Sequence, residues 1–249
     1  MNETESQQEI PYKIDFKRQL AIFDPSNFSS SNNRIDVIGV GATGSYVVLQ
    51  LAKLGITNIH VWDADCVEAH NLPNQLYGIE DIGKPKVEAL KEIIYRLTGI
   101  NIICHKEFVT KDTKDLGQVI FLLTDSMSSR QEIYNGCLKY NPNTQICIET
   151  RLAATTGRIY TFNPTDILDQ ENWEKTLYTD VVAEKSECGT TIVMGASSSY
   201  VASMAVWQMI KWWSFTNGAA DVAPEFELLL FIAPKFKIVN LNETIEETN

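Results

Sequence analysis

A glycine turn, three carboxylates and a lysine stand in this chain at spacings that suit the binding of a nucleoside triphosphate. Gly39-Val40-Gly41-Ala42-Thr43-Gly44 follows the apolar run Ile35 to Ile38 and precedes a helix-like stretch. A strand that turns on glycines into a helix aims backbone N–H groups and the helix N-terminus at a phosphate, and bulkier side chains would block that approach. Gly39, Gly41, Ala42, Thr43 and Gly44 are therefore candidate phosphate-binding positions. About 20 positions further on, the spacing of a nucleotide-binding βαβ unit, Asp63 closes a second strand, where its carboxylate can take the ribose hydroxyls.

Four more features follow in order. Asp63-Ala64-Asp65 puts two carboxylates at alternate positions of an extended segment, hence on one side of it. Asn71-Leu72-Pro73-Asn74-Gln75 offers amide donors to phosphate oxygens, with Asn71 and Gln75 as candidates. In Gly83-Lys84-Pro85-Lys86, Pro85 suits a first helical turn and Lys86 can set an ammonium on a phosphate. Thr124-Asp125-Ser126 ends a strand at the carboxyl edge of the sheet, where open α/β folds bind ligands and where Asp125 suits a Mg²⁺ bridging triphosphate oxygens. Singly, each reads better as turn, cap or solvated-surface chemistry. Their joint order favours a site for ATP and Mg²⁺.

The elements that must hold these residues alternate. Strands are expected at 35–39, 58–62, 100–104, 118–123 and 144–149, and helices at 44–54, 84–97, 127–139 and 195–213, with a helical turn near 112–116. An antiparallel ribbon at 158–162 and one or two strands within 226–238 close the pattern. The fold class is thus α/β and Rossmann-like: a mostly parallel sheet flanked by helices, with a terminal antiparallel portion. Residues 163–188 are polar and read as a long functional or disordered connection. Residues 1–12 and 242–249 read as acidic tails around one domain over 13–241.

A chain of 249 residues that is 44% hydrophobic can bury a full core. Its net charge of -11 excludes the basic footprint of a nucleic-acid binder. The five cysteines, Cys66, Cys104, Cys137, Cys147 and Cys188, form no Cys-x-x-Cys pair, so no zinc and no disulfide framework is expected. With a polar, acidic start in place of a signal peptide, the expected setting is cytoplasmic. Serines, Gln208 and Lys211 interrupt 191–213, so no membrane span is expected there. Cys66, Cys104, Cys137 and Cys147 read as packing, His60, His70 and His105 as isolated structural residues, and Trp207, Trp212 and Trp213 as core or dimer surface.

The runs GVGATGSYVVLQLAKLGITNIHVWDADCVEAHNLPNQLYGIEDIGKPKVEAL and LLTDSMSSRQEIYNGCLKYN resemble the adenylation core of ThiF and MoeB proteins and ubiquitin-activating enzymes. The resemblance covers 16–162 and, more loosely, 188–213. It implies adenylation of the C-terminal carboxylate of a small ubiquitin-like or sulfur-carrier protein ending in Gly-Gly, by a homodimer using Mg-ATP. It also implies that Asp63 takes the ribose, Lys86 the phosphates and Asp125 the Mg²⁺, with Asn71 and Gln75 assisting. Phe16-Lys17-Arg18-Gln19-Leu20 resembles the family's amino-terminal segment, which makes Arg18 a candidate catalytic arginine supplied to the partner's site.

This chain departs from the family where Asn74 stands in place of the usual arginine of Asn-Leu-x-Arg-Gln. Arg151, after the strand 144–149, is a candidate replacement. Cys188 resembles the cysteine that, in some relatives, takes the activated carrier as a thioester or acyl disulfide; an inert residue at the loop's end is the equal alternative. Two other readings stay open: a catalytically impaired nucleotide-binding scaffold subunit, which the Asn74 departure supports, and an NAD-dependent dehydrogenase, which would leave Asp65, Lys86 and Asp125 without a role.

Overall fold

The computed structural model describes residues 14–153, 156–179, 193–231 and 237–240. Five parallel strands form its centre: β1 (Ile35–Ile38), β2 (Ile59–Trp62), β3 (Ile103–His105), β4 (Val119–Leu122) and β5 (Ile146–Leu152). Antiparallel β6 (Thr156–Phe162), β7 (Glu227–Phe231) and β8 (Lys237–Asn240) extend the sheet, giving the order β3-β2-β1-β4-β5-β6-β7-β8. Every residue of β1 and β4 is buried, the pattern of strands covered on both faces.

The helices are α1 (Pro25–Ser30), α2 (Ala42–Lys53), α3 (Lys86–Thr98), α4 (Met127–Ile133), α5 (Ile167–Glu174) and α6 (Gly195–Thr216). On one face, Val47 and Leu51 of α2, Leu90 and Ile94 of α3, and Val201 and Met209 of α6 pack on Val37, Val61, Phe121 and Ile148. On the other, Ile133 of α4, Tyr134 and Trp173 of α5 pack on Ile38, Ile120, Cys147 and Phe162. The parallel register sets Ile38 beside Trp62 and Leu122, and Leu122 beside Glu149, so the carboxyl ends of β1, β2, β4 and β5 form one edge.

The α/β architecture matches the sequence pattern, but several boundaries move. The helix after the glycine turn starts at Ala42, with Gly41 as its cap, two residues ahead of Gly44. The outermost parallel strand lies at 103–105, and residues 113–117 carry no helical turn. The stretch 127–139 is α-helical only to Ile133 and then opens into a π-helical turn, Tyr134–Leu138. Within the connection expected at 163–188 lies α5, capped by Asp166, whose carboxylate accepts from the N–H groups of Leu168 and Asp169. Its only buried residue is Trp173, while Ile167 and Leu168 are exposed, so an apolar stripe that would announce it is missing. The terminal tails and Cys188 lie outside the described residues.

Candidate functional site

The carboxyl edge opens into a cavity of about 770 Å³. Its floor is the glycine turn. Gly39 has φ +89, and a Cβ there would stand 2.8 Å from the Leu123 carbonyl oxygen. A Cβ on Gly44 would come within 2.0 Å of the Gly39 carbonyl oxygen. These two glycines let the turn lie on the end of β4 and bring α2 against the turn. Gly41 differs, because a Cβ there would meet only Gln75 Nε2, at 3.9 Å. Gly41 caps α2 without a side-chain bond, and Gly41, Ala42 and Thr43 line the cavity, so the first turn of α2 is presented to it.

Asp63 is 7% exposed and clamps the turn: Val40 N–H donates to Oδ2 at 3.0 Å and Asp65 N–H to Oδ1 at 2.9 Å. Burial pushes its pKa up, with the neighbouring Lys86 ammonium opposing. Lys86 opens α3 and is 8% exposed; its Nζ donates to Asp65 Oδ2 at 2.8 Å, while the Asp65 side chain keeps 56% of its surface in solvent. Asn71 is buried and its Oδ1 accepts from the Glu68 N–H at 2.8 Å. Asp125 is exposed at the end of β4, where Ser126, through its hydroxyl and the Ser129 N–H at 3.2 Å, serves as the cap of α4. Gly39, Gly41, Ala42, Thr43, Asp63, Asp65, Asn71, Gln75, Lys86 and Asp125 all line the one cavity.

Three oxygens on that lining stand out. Among the described residues, Asn74 Oδ1, Gln75 Oε1 and Thr124 Oγ1 are buried without a hydrogen-bond partner. Buried polar atoms are ordinarily paired, so a cluster of exceptions in a cavity calls for a ligand or water. The donor set fits a polyphosphate: an ammonium, a helix N-terminus and amides. It also fits Mg²⁺, which takes one or two carboxylates and fills its remaining positions with substrate oxygens and water.

Other expected residues lie elsewhere. Arg151 does not reach the cavity: its guanidinium binds Glu149, donates to Thr176 O at 2.7 Å, and stacks 4.3 Å from the Tyr160 ring centre. Thr150 and Leu152, its neighbours on the opposite face of β5, line the cavity instead. Arg18 is exposed and away from the cavity. Its segment is pinned at the far end of α2, with Gln19 Nε2 donating to Leu54 O at 2.8 Å. That end is about 18 Å from the first turn of α2, the length of a helix of 12 residues.

Arg130 is the lining arginine that the sequence reading missed. It is 6% exposed, forms an ion pair with Glu149 Oε1 at 2.9 Å from its Nε, which has no hydrogen-bond partner among the described residues, and donates through Nη2 to the carbonyl oxygens of Thr124 and Thr150. His60 and His105 are not isolated: Nδ1 of His60 lies 3.0 Å from Nε2 of His105, and the His105 ring stacks at 3.6 Å on Trp62, a lining residue. Cys66 is exposed rather than packed; Cys104 is half-buried, with its thiol pushed up to about 11 by burial, and Cys137 and Cys147 are buried. Trp212 belongs to the core and Trp213 packs edge-on against Phe28, whereas Trp207 is 46% exposed. No helix among the described residues is long and apolar enough to cross a membrane.

Comparison with known proteins gives a family. The model of the ThiF family matches residues 16–246. The NEDD8-activating enzyme E1 catalytic subunit of Arabidopsis thaliana is 38% identical over 118 residues, covering 43% of this chain and 26% of that protein. The sulfur carrier protein ThiS adenylyltransferase of Escherichia coli K12 is 25% identical over 190 residues, 72% of each chain. This chain thus spans about a quarter of the first relative and most of the second. Among solved structures, PaaA superposes with a TM-score of 0.63 at 17% identity, over 94% of this chain and 76% of its own, which is a likeness of fold.

Proposed function

Because the chain belongs to the ThiF family, we propose that it adenylates the C-terminal carboxylate of a small ubiquitin-like or sulfur-carrier protein ending in Gly-Gly, using Mg-ATP and working as a homodimer. The observation that carries this reading is the convergence of the Lys86 ammonium, the first turn of α2 and the Gln75 amide on one cavity, where the unpartnered oxygens of Asn74, Gln75 and Thr124 can accept from ligand hydroxyls or water or face a cation. In the reaction the carboxylate oxygen bonds to the α-phosphorus, the bond to the bridging oxygen breaks, and pyrophosphate leaves. Negative charge accumulates on phosphorus-bound oxygens, so fixed positive groups serve this step better than a base does. Lys86 and the N–H groups of the Gly41–Gly44 turn meet phosphate oxygens. Asp63, already holding the turn rigid, keeps lone pairs for the ribose hydroxyls. Asn71 and Gln75 steady the phosphates. Asp125 would hold a Mg²⁺, which supplies charge neutralisation when bound.

Arg18 belongs to the neighbouring protomer's site in this reading, since its own cavity lies at the other end of α2. A later attack by the Cys188 thiolate on the acyl adenylate, releasing AMP and leaving a thioester, would complete a carrier-loading cycle. Asn74 favours a second reading, a scaffold subunit that binds ATP without turning it over. The family match leaves the dehydrogenase reading without support.

Calorimetric titration of Mg-ATP and of NAD into the wild type and Lys86→Ala tests the reading. Mg-ATP binding that weakens about 10- to 100-fold in the variant, with no NAD binding, is the expected result. NAD binding alone, or neither ligand, overturns it. ATP–pyrophosphate exchange with a Gly-Gly carrier then separates enzyme from scaffold.

A further inference from the structure

Glu149 is a fully buried carboxylate held between two arginines. Arg130 Nε lies 2.9 Å from its Oε1; Arg151 Nη2 lies 2.9 Å from its Oε2, and Arg151 Nε donates to both oxygens at 3.0 Å. Trp173 Nε1–H donates to Oε2 at 3.2 Å. The two arginines then diverge. Arg151 runs to Thr176 and the rings of Tyr160 and Tyr178, away from the cavity. Arg130 reaches back from α4 to the carbonyl oxygen of Thr124, the residue before Asp125, and to Thr150 O at 3.1 Å.

We propose that Glu149 is a positioning residue for the nucleotide site, acting through Arg130 on the Thr124–Asp125 peptide. A guanidinium that spans the ends of β4 and β5 fixes the peptide plane from which the Asp125 carboxylate projects. Its forked donors allow this geometry, which a single ammonium cannot reproduce. Glu149 has a second effect. Arg130 lines the cavity together with Asp125, and a guanidinium released from Glu149 would be free to pair with a carboxylate of that lining, Asp125 among them. Paired with Glu149, it leaves Asp125 available to a divalent cation. Arg151 completes the charge balance around Glu149 but contributes packing and not positioning.

This inference rests on the adenylation reading, in which Asp125 meets Mg²⁺. Its test is calorimetric binding of ATP with Mg²⁺ and with EDTA, on wild type, Glu149→Gln and Arg130→Lys, with melting curves to establish that each is folded. The expected result is a loss of about 10- to 100-fold in Mg-ATP affinity, the cost of removing an outer support from a metal ligand, with affinity for metal-free ATP kept within about threefold. Arg130→Lys keeps a cation for Glu149, so it remains informative if Glu149→Gln does not fold. Equal losses with and without Mg²⁺ would mark the cluster as structural only, and unchanged Mg-ATP affinity in a folded variant would overturn the inference while leaving the adenylation reading intact. A wild type that binds no Mg-ATP removes both.

Discussion

Lys86 with Asp65 on one side of the cavity, and Glu149 with Arg130 and Arg151 on the other, differ in how much of their bonding capacity the fold consumes. Among the described residues, the Lys86 ammonium makes one hydrogen bond, to a carboxylate that is more than half in solvent. Glu149 accepts from Arg151 and Trp173, forms an ion pair with Arg130, and has no exposed surface. A buried ion cluster is held in place because removing one member strands the others, whereas the carboxylate of the Lys86 pair stands mostly in solvent and can give way to a competing anion. One sheet edge therefore carries a saturated cluster that supports and an unsaturated one that can bind.

The contrast predicts opposite phenotypes. Glu149→Ala leaves two buried arginines facing each other and should cost about 3–5 kcal/mol, seen as a melting temperature lower by about 10 °C. Lys86→Ala should lose less stability than Glu149→Ala, since the Asp65 carboxylate it leaves behind is already more than half in solvent, while Mg-ATP binding weakens as described above. If the two variants lose stability equally, the distinction fails. Thr124→Val removes an unpartnered buried hydroxyl at constant shape; the apo protein should keep or gain stability, and ATP affinity should fall about threefold to tenfold. A melting temperature that drops instead would show that Thr124 is already paired.

The smallest effect lies in a third, saturated cluster below the cavity. Asp36 accepts from Trp62 Nε1–H at 2.7 Å, from Gly117 N–H at 2.7 Å and from Arg34 at 2.8 Å. Burial and then the Arg34 charge hold His60 and His105 below the ordinary imidazole value of 6.5, with Asp36 and Asp115 opposing. Since the folded pKa values are depressed, the unfolded chain takes up protons first. Stability is thus intact above pH 6.5 and falls as pH drops below it toward the folded values. Melting curves between about pH 5 and 8 should show this slope, and it should flatten in a folded His60→Asn variant; an unchanged slope would assign it to other groups.

Which residues were legible follows from how far apart their signals lie. Gly39, Gly44, Asp63, Lys86 and Asp125 sit at strand ends and helix starts, where local order reveals position. Arg151 misled because the strand was expected to stop at 149. It continues to Leu152, and the two-residue pleat then puts Arg151 on the face of Glu149 and gives Thr150 and Leu152 to the cavity. Arg130 gives no local sign at all, since an inward arginine on a short helix looks like a solvated one until its carboxylate partner is brought over by β5. The His60–His105 pair is equally silent, arising from the register that sets Trp62 beside His105.

The sheet order has a kinetic consequence. β1 finds β2 after a single helical crossover, but its other neighbour, β4, arrives only after β2, α3 and β3 have been laid down. The glycine turn rests on the end of that late neighbour, through the approach of Gly39 to Leu123. Closing so long a loop is slow. During synthesis, the phosphate-facing turn should acquire its final shape only after the segment through Leu123 has left the ribosome, so a nucleotide cannot template the earlier half of the fold.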